Sequence, residues 1–202
     1  IHKGKITKIE ASLEAIFVEL GSSRHGFLPF KELSPEYFDS SKSGMERFKI
    51  KEGDDIVIQI EKEERVNKGA ALSTYISLAS RFIVLMTNHP TGGGISRRIH
   101  GEERDKVKNI LDSLNTPDGM SLIIRTAGID KQIEQLSWDL EYLQKLWIEV
   151  ESAIKSSRST QLIYADQSLI QKNIRDYFKE DIGELIVDNS RSEEHTSELQ
   201  SP

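Results

Sequence analysis

Period-two alternation in the first 80 residues sets the strictest limit on what this chain can fold into, because successive residues of a strand point to opposite faces of a sheet. Ile16, Val18 and Leu20 fall on one face and Ala15, Phe17 and Glu19 on the other, which leaves Phe17 on the wetter side. Ile56, Ile58 and Ile60 alternate in the same way with Val57, Gln59 and Glu61. Short β-branched runs also occupy Lys3 to Glu10, Phe27 to Pro29 and Ala70 to Ile76, separated by turn residues such as Gly21 to Gly26 and Lys62 to Gly69. Five short strands, with an irregular connection carrying Pro35 and Gly44 after the third, predict a small Greek-key barrel of the OB type. Helical spacings follow, so the fold class is α+β: a five-stranded barrel, then an α/β segment.

A chain of 202 residues holds one or two domains and can bury a sizeable core. No apolar run reaches even half of the roughly 20 residues a membrane span needs. The absence of cysteine excludes a disulfide framework, a thiolate zinc site and a cysteine nucleophile within these residues, and favours a reducing compartment, by default the cytoplasm. A net charge of −6 and a pI near 5.5 argue against wrapping nucleic acid by bulk charge, so any basic patch must be local. Ile1 enters a strand pattern with no initiator methionine, from which a missing amino-terminal stretch is expected. Arg191 to Pro202 reads RSEEHTSELQSP, which matches the in-frame translation of a common sequencing-library adapter. It is set aside as non-native, and the remaining residues carry a net charge of −4.

Several residues carry candidate chemistry. Phe17, with Phe27 just past the return loop and Lys3, Arg24 and Lys68 in nearby turns, makes a stacking platform with phosphate partners. The alternative is that Phe27 is core and Phe17 covers a neighbouring domain. Thr91-Gly92-Gly93-Gly94-Ile95-Ser96-Arg97-Arg98 offers backbone amides and two guanidinium groups, the ingredients of an anion loop, or a plain turn. Gly101 to Asn115 predicts an amphipathic helix with Val107, Ile110, Leu111 and Leu114 inward and Glu102 and Glu103 at its amino end. A strand over Met120 to Thr126 ends in Arg125 and Thr126, just before a long helix expected from about Asp130. A guanidinium and a hydroxyl facing a helix amino end suit a terminal phosphate, although Arg125 could equally pair with a carboxylate.

The long helix repeats Ile133, Leu136, Leu140, Leu143, Trp147, Val150 and Ile154 at spacings of three and four. This seam is expected to lie across a sheet. A short coiled coil, and hence an oligomerisation module near Trp147, is the alternative. Leu162 to Ala165, a helix from about Gln167 to Phe178, and Glu184 to Val187 predict a βαβ-like run.

The stretches KGKITKIEASLEAIFVELGSSRHGFLPF, KEERVNKGAALSTYISLASR, GGGISRRI, LIIRTAG and DIGELIVDN, in this order and spacing, resemble the ribonuclease E/G family of bacterial endoribonucleases across essentially residues 1 to 190. The resemblance implies an S1-type RNA-binding barrel over 1–80, with Phe17, Phe27 and Lys68 on its RNA face. It implies a 5′-sensor α/β domain over 81–170, and over 171–190 the start of a ribonuclease-H-like subdomain. Leu20 stands where an aromatic is frequent in the family, which implies a smaller stacking surface. Arg125 and Thr126 match the motif by which the family recognises an RNA 5′-monophosphate; Arg97 matches a supporting arginine and Val84 a pocket-lining residue. Ser80 stands where glycine is frequent, so its hydroxyl could either bind or crowd the phosphate.

Magnesium-dependent hydrolysis of RNA needs clustered carboxylates. Here the acidic residues lie on helix faces and turns, Asp188 has no evident partner, and His2, His25, His89, His100 and His195 show no metal-binding spacing. No catalytic residue is expected in these residues, and none that binds metal. The resemblance implies that the catalytic aspartates and a structural zinc link lie beyond residue 190. It further implies that the complete enzyme is a cytoplasmic, Mg2+-dependent oligomer acting in RNA processing and mRNA decay with RNA-degradation partners. The expectation is therefore a truncated portion that binds single-stranded RNA, prefers a 5′-monophosphate and does not cut. The alternative is a non-catalytic OB-fold RNA-binding adaptor complete at about residue 190.

Overall fold

Alternation closes the first five strands into a barrel. In the computed structural model β1 (His2–Glu10), β2 (Ala15–Glu19) and β3 (Gly26–Pro29) form an antiparallel meander, and β4 (Asp55–Lys62) and β5 (Ala71–Ser73) follow. The order is β1-β2-β3-β5-β4, and β4 pairs back onto β1 with His2 opposite Ile58, which closes the sheet. β3 and β5 run parallel, Phe27 opposite Ala71. The inward residues Ile6, Ile16, Val18, Leu28, Ile56, Ile58 and Leu72 are each at most 1 % exposed, so the interior is filled by side chains. Residues 1–39, 41–66, 68–95, 100–158, 160–166, 169–177, 182–184 and 186 are described by the structure, and its contacts fall into two units, Ile1–Tyr164 and Ala165–Pro202.

The fifth strand ends earlier than its apolar pattern predicts. Beyond Ser73 the backbone donors turn to other partners: Thr74 N–H bonds the Glu32 carbonyl at 2.9 Å, Tyr75 N–H the Ser73 hydroxyl at 3.1 Å, and Ile76 N–H the Asn88 side-chain oxygen at 3.0 Å. The ladder cannot continue once its donors are taken. The next strand, β6 (Ser77–Ala79), pairs with β7 (Ile83–Met86) in a second sheet.

That second sheet adds β8 (Gly94–Ile95) and β9 (Ser121–Ile124) in the order β6-β7-β9-β8, with β8 and β9 parallel. Helix α1 (Gly101–Ser113) and helix α2 (Ile133–Ser156) pack on it over Leu78, Ile83, Leu85, Leu122 and Ile124. Leu136, Leu140, Leu143 and Val150 of α2 are buried in the chain's own fold, so the seam that could have formed a coiled coil is covered within the chain. The helix starts at Ile133 rather than near Asp130. Gln132 N–H bonds the Gln135 side chain at 3.2 Å, and the preceding Thr126–Gly128 forms a separate 3-10 turn.

β10 (Gln161–Leu162) departs from the expected βαβ-like run. It adds antiparallel to the outside of the barrel on β1, Leu162 opposite His2. In the second unit, α3 (Leu169–Tyr177) half-buries Ile170 and Ile174, and Lys172 pairs with Asp166 at 2.7 Å. The strand expected at Glu184 to Val187, Asp188 and the segment 191–202 fall wholly or partly outside the described residues.

Candidate nucleic-acid interface

On the outer wall of the barrel, cross-strand register builds a row that no local pattern announces. Lys8 of β1 stands opposite Phe17 of β2, Phe17 opposite Phe27 of β3, Phe27 opposite Ala71 of β5, and Ala71 opposite Lys62 of β4. Directly opposed residues share a face, so two phenylalanines and a small residue lie between two lysines. The rings meet edge to face, 6.0 Å between centroids at 70°, and Phe27 is 36 % exposed. Phe27 is thus no part of the core, and Phe17 is half-buried against it. Thr7 donates its hydroxyl to the Phe17 carbonyl at 3.0 Å and lies 3.1 Å from His25 Nδ1, which fixes the loop before β3. Lys8 pairs with Glu10 at 2.7 Å; this contact, helped by the Ser12 hydroxyl, pulls the Glu10 carboxyl down to about 2.

Two loops bring further cations to the Phe27 edge. Arg24 donates to the Arg65 carbonyl at 3.2 Å, and Arg65 and Lys68 exchange backbone bonds at 2.8 and 3.1 Å. Gly69 makes the closure possible: a Cβ there would collide with the His25 carbonyl oxygen. Phe27 N–H then bonds the Ala70 carbonyl at 2.8 Å. Arg24, Arg65 and Lys68 therefore sit on loops tied to the edge of β3 that carries Phe27, the combination of cations and aromatics from which a base-stacking surface can be built. Lys3 does not join them. Its ammonium donates to the carbonyls of Ser157 at 3.0 Å and Ile154 at 3.4 Å, closing the carboxyl end of α2, and lies 3.9 Å from Asp55 with only 18 % of the side chain exposed. Its place in the sequence between strand-like residues says nothing of this, because the carbonyls it meets are 151 and 154 residues away.

The second group gathers where β9 ends. Arg125 N–H bonds the Phe82 carbonyl at 2.8 Å, and its guanidinium donates to the carbonyls of Ser80 at 2.6 Å and Arg81 at 3.4 Å, on the turn between β6 and β7. Val84 stands opposite Ile123, two residues before Arg125, so strand alternation puts Val84 and Arg125 on one face. Thr126 is exposed at the start of its 3-10 turn. Arg81 and Lys131 lie 5.4 Å from the Phe82 ring centre, adding two cations that sequence reading does not single out. Arg97 lies outside the described residues; the strand leading to it ends at Ile95, in register with Ile124.

Two expectations change here. Ser80 is 3 % exposed, and its hydroxyl donates to the Ile83 carbonyl and to Asp139 of α2, so it faces the interior of the turn and not a ligand. Asp139 also accepts from Phe82 N–H at 2.9 Å and Ile83 N–H at 3.1 Å. Nor does a long helix point its amino end at Thr126: the amides beyond Arg125 close the short turn, Gly128 N–H onto the Arg125 carbonyl at 2.9 Å. What remains is a cluster of cations on a turn braced by a buried-side carboxylate, a setting for a phosphate.

Among the described residues no three His, Asp or Glu side chains stand close enough to share a metal ion, and the chain has no cysteine. The magnesium and zinc implied by the resemblance find no donor set there. No helix among the described residues is long and apolar enough to cross a membrane.

Two family models match the chain: the S1 RNA binding domain over residues 1–75 and the Ribonuclease E/G family over residues 77–201. Ribonuclease E of Escherichia coli (strain K12) is 50 % identical over 195 residues, covering 95 % of this chain and 18 % of that protein. Ribonuclease E of Haemophilus influenzae is 48 % identical over 202 residues, covering 98 % of this chain and 22 % of its own length. Ribonuclease G of Escherichia coli is 27 % identical over 209 residues, covering 100 % of this chain and 42 % of that protein. The chain thus spans 18 % and 22 % of the two ribonuclease E relatives.

Proposed function

The chain belongs to the ribonuclease E/G family, and from that membership we propose that it is the RNA-binding, 5′-monophosphate-sensing portion of an endoribonuclease that acts in RNA processing and mRNA decay. The observation that carries the reading is the Phe17–Phe27 pair, held in register on the outside of the barrel beside Arg24, Arg65 and Lys68. The exposed Phe27 ring and the half-buried Phe17 ring beside it offer a face or edge to an unstacked base, and the loop cations meet the phosphates between.

The strand then reaches the turn held by Arg125, where a terminal monophosphate carries more negative charge than an internal diester. A charge-assisted contact there favours a 5′-phosphorylated end over a hydroxyl end. In this reading the magnesium-binding carboxylates and the zinc link belong to parts of the enzyme outside this chain, and the complete protein is a cytoplasmic oligomer with RNA-degradation partners. Magnesium bound there would supply the activated water; the residues described here bind and orient the strand.

The test is fluorescence anisotropy with single-stranded RNA that differs only in a 5′-phosphate or a 5′-hydroxyl. Binding of both, tighter to the phosphorylated strand, is expected, with Arg125→Ala abolishing the difference and Phe27→Ala weakening both. Equal affinities unaffected by Arg125→Ala would overturn the sensing claim, and Phe27→Ala without effect would overturn the platform. Circular dichroism on each variant separates lost binding from lost folding.

A further inference from the structure

A cleft of about 600 Å³ opens between α1 and the chain leading into β8, away from both groups described above. Its size falls in the ~300–1,000 Å³ range of small-molecule sites. The floor is apolar, formed by Ile95, Leu111, Met120 and Leu122. Arg104 and Lys108, four residues apart on α1, line the cleft from the helix side, together with Asp105 and Asp112.

The opposite wall is bare main chain. At Gly93 a Cβ would lie 2.7 Å from Ser121 Cβ and 2.8 Å from the Leu122 carbonyl oxygen, so β9 behind it forbids any side chain. Gly94 has φ +148, a conformation L residues rarely adopt. A ligand can therefore approach the backbone at Gly93 and Gly94, next to the Thr91 side chain.

The lining selects among ligand classes. Among the described lining residues, four charged groups exclude a purely apolar guest, and two carboxylates disfavour a bare polyanion. Two cations on the wall, and no cluster of three metal-ligating side chains among the described residues, disfavour a metal ion. A nucleotide satisfies every wall: the base covers the apolar floor, the phosphate meets Arg104 and Lys108, and the ribose hydroxyls donate to a carboxylate. We infer that this cleft binds a nucleoside monophosphate unit, either free or as a residue within an RNA strand.

The site is separate from the Arg125 turn. Ile95 and Leu122, which line the cleft, share the helix-covered face of the sheet with Ile124, whereas alternation puts Arg125 with Ile123 and Val84 on the opposite face. The inference therefore goes beyond the RNA-binding reading and does not rest on it.

Adenosine 5′-monophosphate titrated into the isotope-labelled chain, followed by amide NMR, is the test. Shifts at Thr91, Gly93, Gly94 and along α1 are expected, with at least tenfold weaker binding in the Arg104→Ala/Lys108→Ala double variant and unchanged binding in Arg125→Ala. A 5′-hydroxyl oligonucleotide moving the same amides assigns the site to RNA; movement by the mononucleotide alone assigns it to a free nucleotide. Inorganic phosphate reproducing the shifts at equal affinity, or no shift at these amides, overturns the inference. Shifts abolished by Arg125→Ala do the same, since they would belong to the other site. Spectral dispersion reports folding in each sample, and the milder Arg104→Gln and Lys108→Gln variants replace the double variant if it unfolds.

Discussion

Replacing Asp139 by alanine tests whether α2 braces the turn that holds Arg125. The carboxylate accepts from the Ser80 hydroxyl, from Phe82 N–H at 2.9 Å and from Ile83 N–H at 3.1 Å. Ser80 and Ile83 keep a second partner in each other, the Ser80 hydroxyl donating to the Ile83 carbonyl at 2.9 Å and Ile83 N–H reaching the Ser80 oxygen at 3.3 Å. The variant thus strips Phe82 N–H of its acceptor and weakens two further bonds. One charge-assisted bond lost outright, at about 1.5–3 kcal/mol, plus about 0.5–1 kcal/mol for the weakened pair in a half-buried setting, gives a destabilisation of about 2–4 kcal/mol. Asp139→Asn keeps a side-chain oxygen and loses the charge, for about 1 kcal/mol. Urea denaturation followed by circular dichroism measures both, with the slope unchanged if only stability moves. Because Arg125 donates to the Ser80 carbonyl at 2.6 Å, the loosened turn also carries away its anchor. The preference for a 5′-phosphorylated strand should fall in Asp139→Ala while overall RNA binding persists. A loss of stability under 0.5 kcal/mol, or full destabilisation with the preference intact, would refute the reasoning.

Phe17→Ala and Phe27→Ala should each weaken single-stranded RNA binding by about 1–3 kcal/mol, read by anisotropy, the expected worth of one stacked base. Lys3→Ala should lower stability by about 1 kcal/mol through the lost helix-end contacts and leave the salt dependence of RNA binding unchanged. Lys68→Ala should do the reverse, reducing the salt slope by about 0.7; if the two variants behave alike, the assignment of Lys3 to α2 is wrong. Gly69→Ala, which meets the His25 carbonyl, should cost about 1–3 kcal/mol and weaken RNA binding although it removes no contacting side chain. Burial, with the Glu36 charge nearby, pushes the Tyr37 phenol up to about 12. Its contribution to stability is therefore complete below the unfolded value near 10 and falls as pH rises through about 12, which urea midpoints between pH 9 and 12 will follow. A midpoint flat across that interval contradicts it.

Much of this molecule can be read from spacing alone. Ile16 and Val18, like Ile56 and Ile58, point inward because they hold the apolar face of an alternating strand, and five short strands with one apolar face each bury those faces together by closing into a barrel. Leu136, Leu140 and Leu143 announce the buried face of α2 for the corresponding reason at period 3.6. Phe17 is visible as a candidate because alternation puts it on its strand's wetter face, whereas spacing leaves Phe27 open between core and surface and the pairing with Phe17 decides it.

The positions of the charged groups come from elsewhere. Lys8 and Lys62 end in one row with the aromatic pair through the parallel pairing of Phe27 with Ala71, which joins strands distant in the chain, and Lys3 leaves the RNA face because the end of α2 arrives beside it. Ser80 is turned inward by Asp139, 59 residues later, and Arg125 meets carbonyls of a turn some 45 residues earlier. Burial follows from hydrophobicity, which each residue carries with it, so the sequence by itself determined the barrel, the buried helix face and the wetter-face position of Phe17. A long polar side chain is directed by whichever donors and acceptors the fold sets within its reach, and only the tertiary structure decided those.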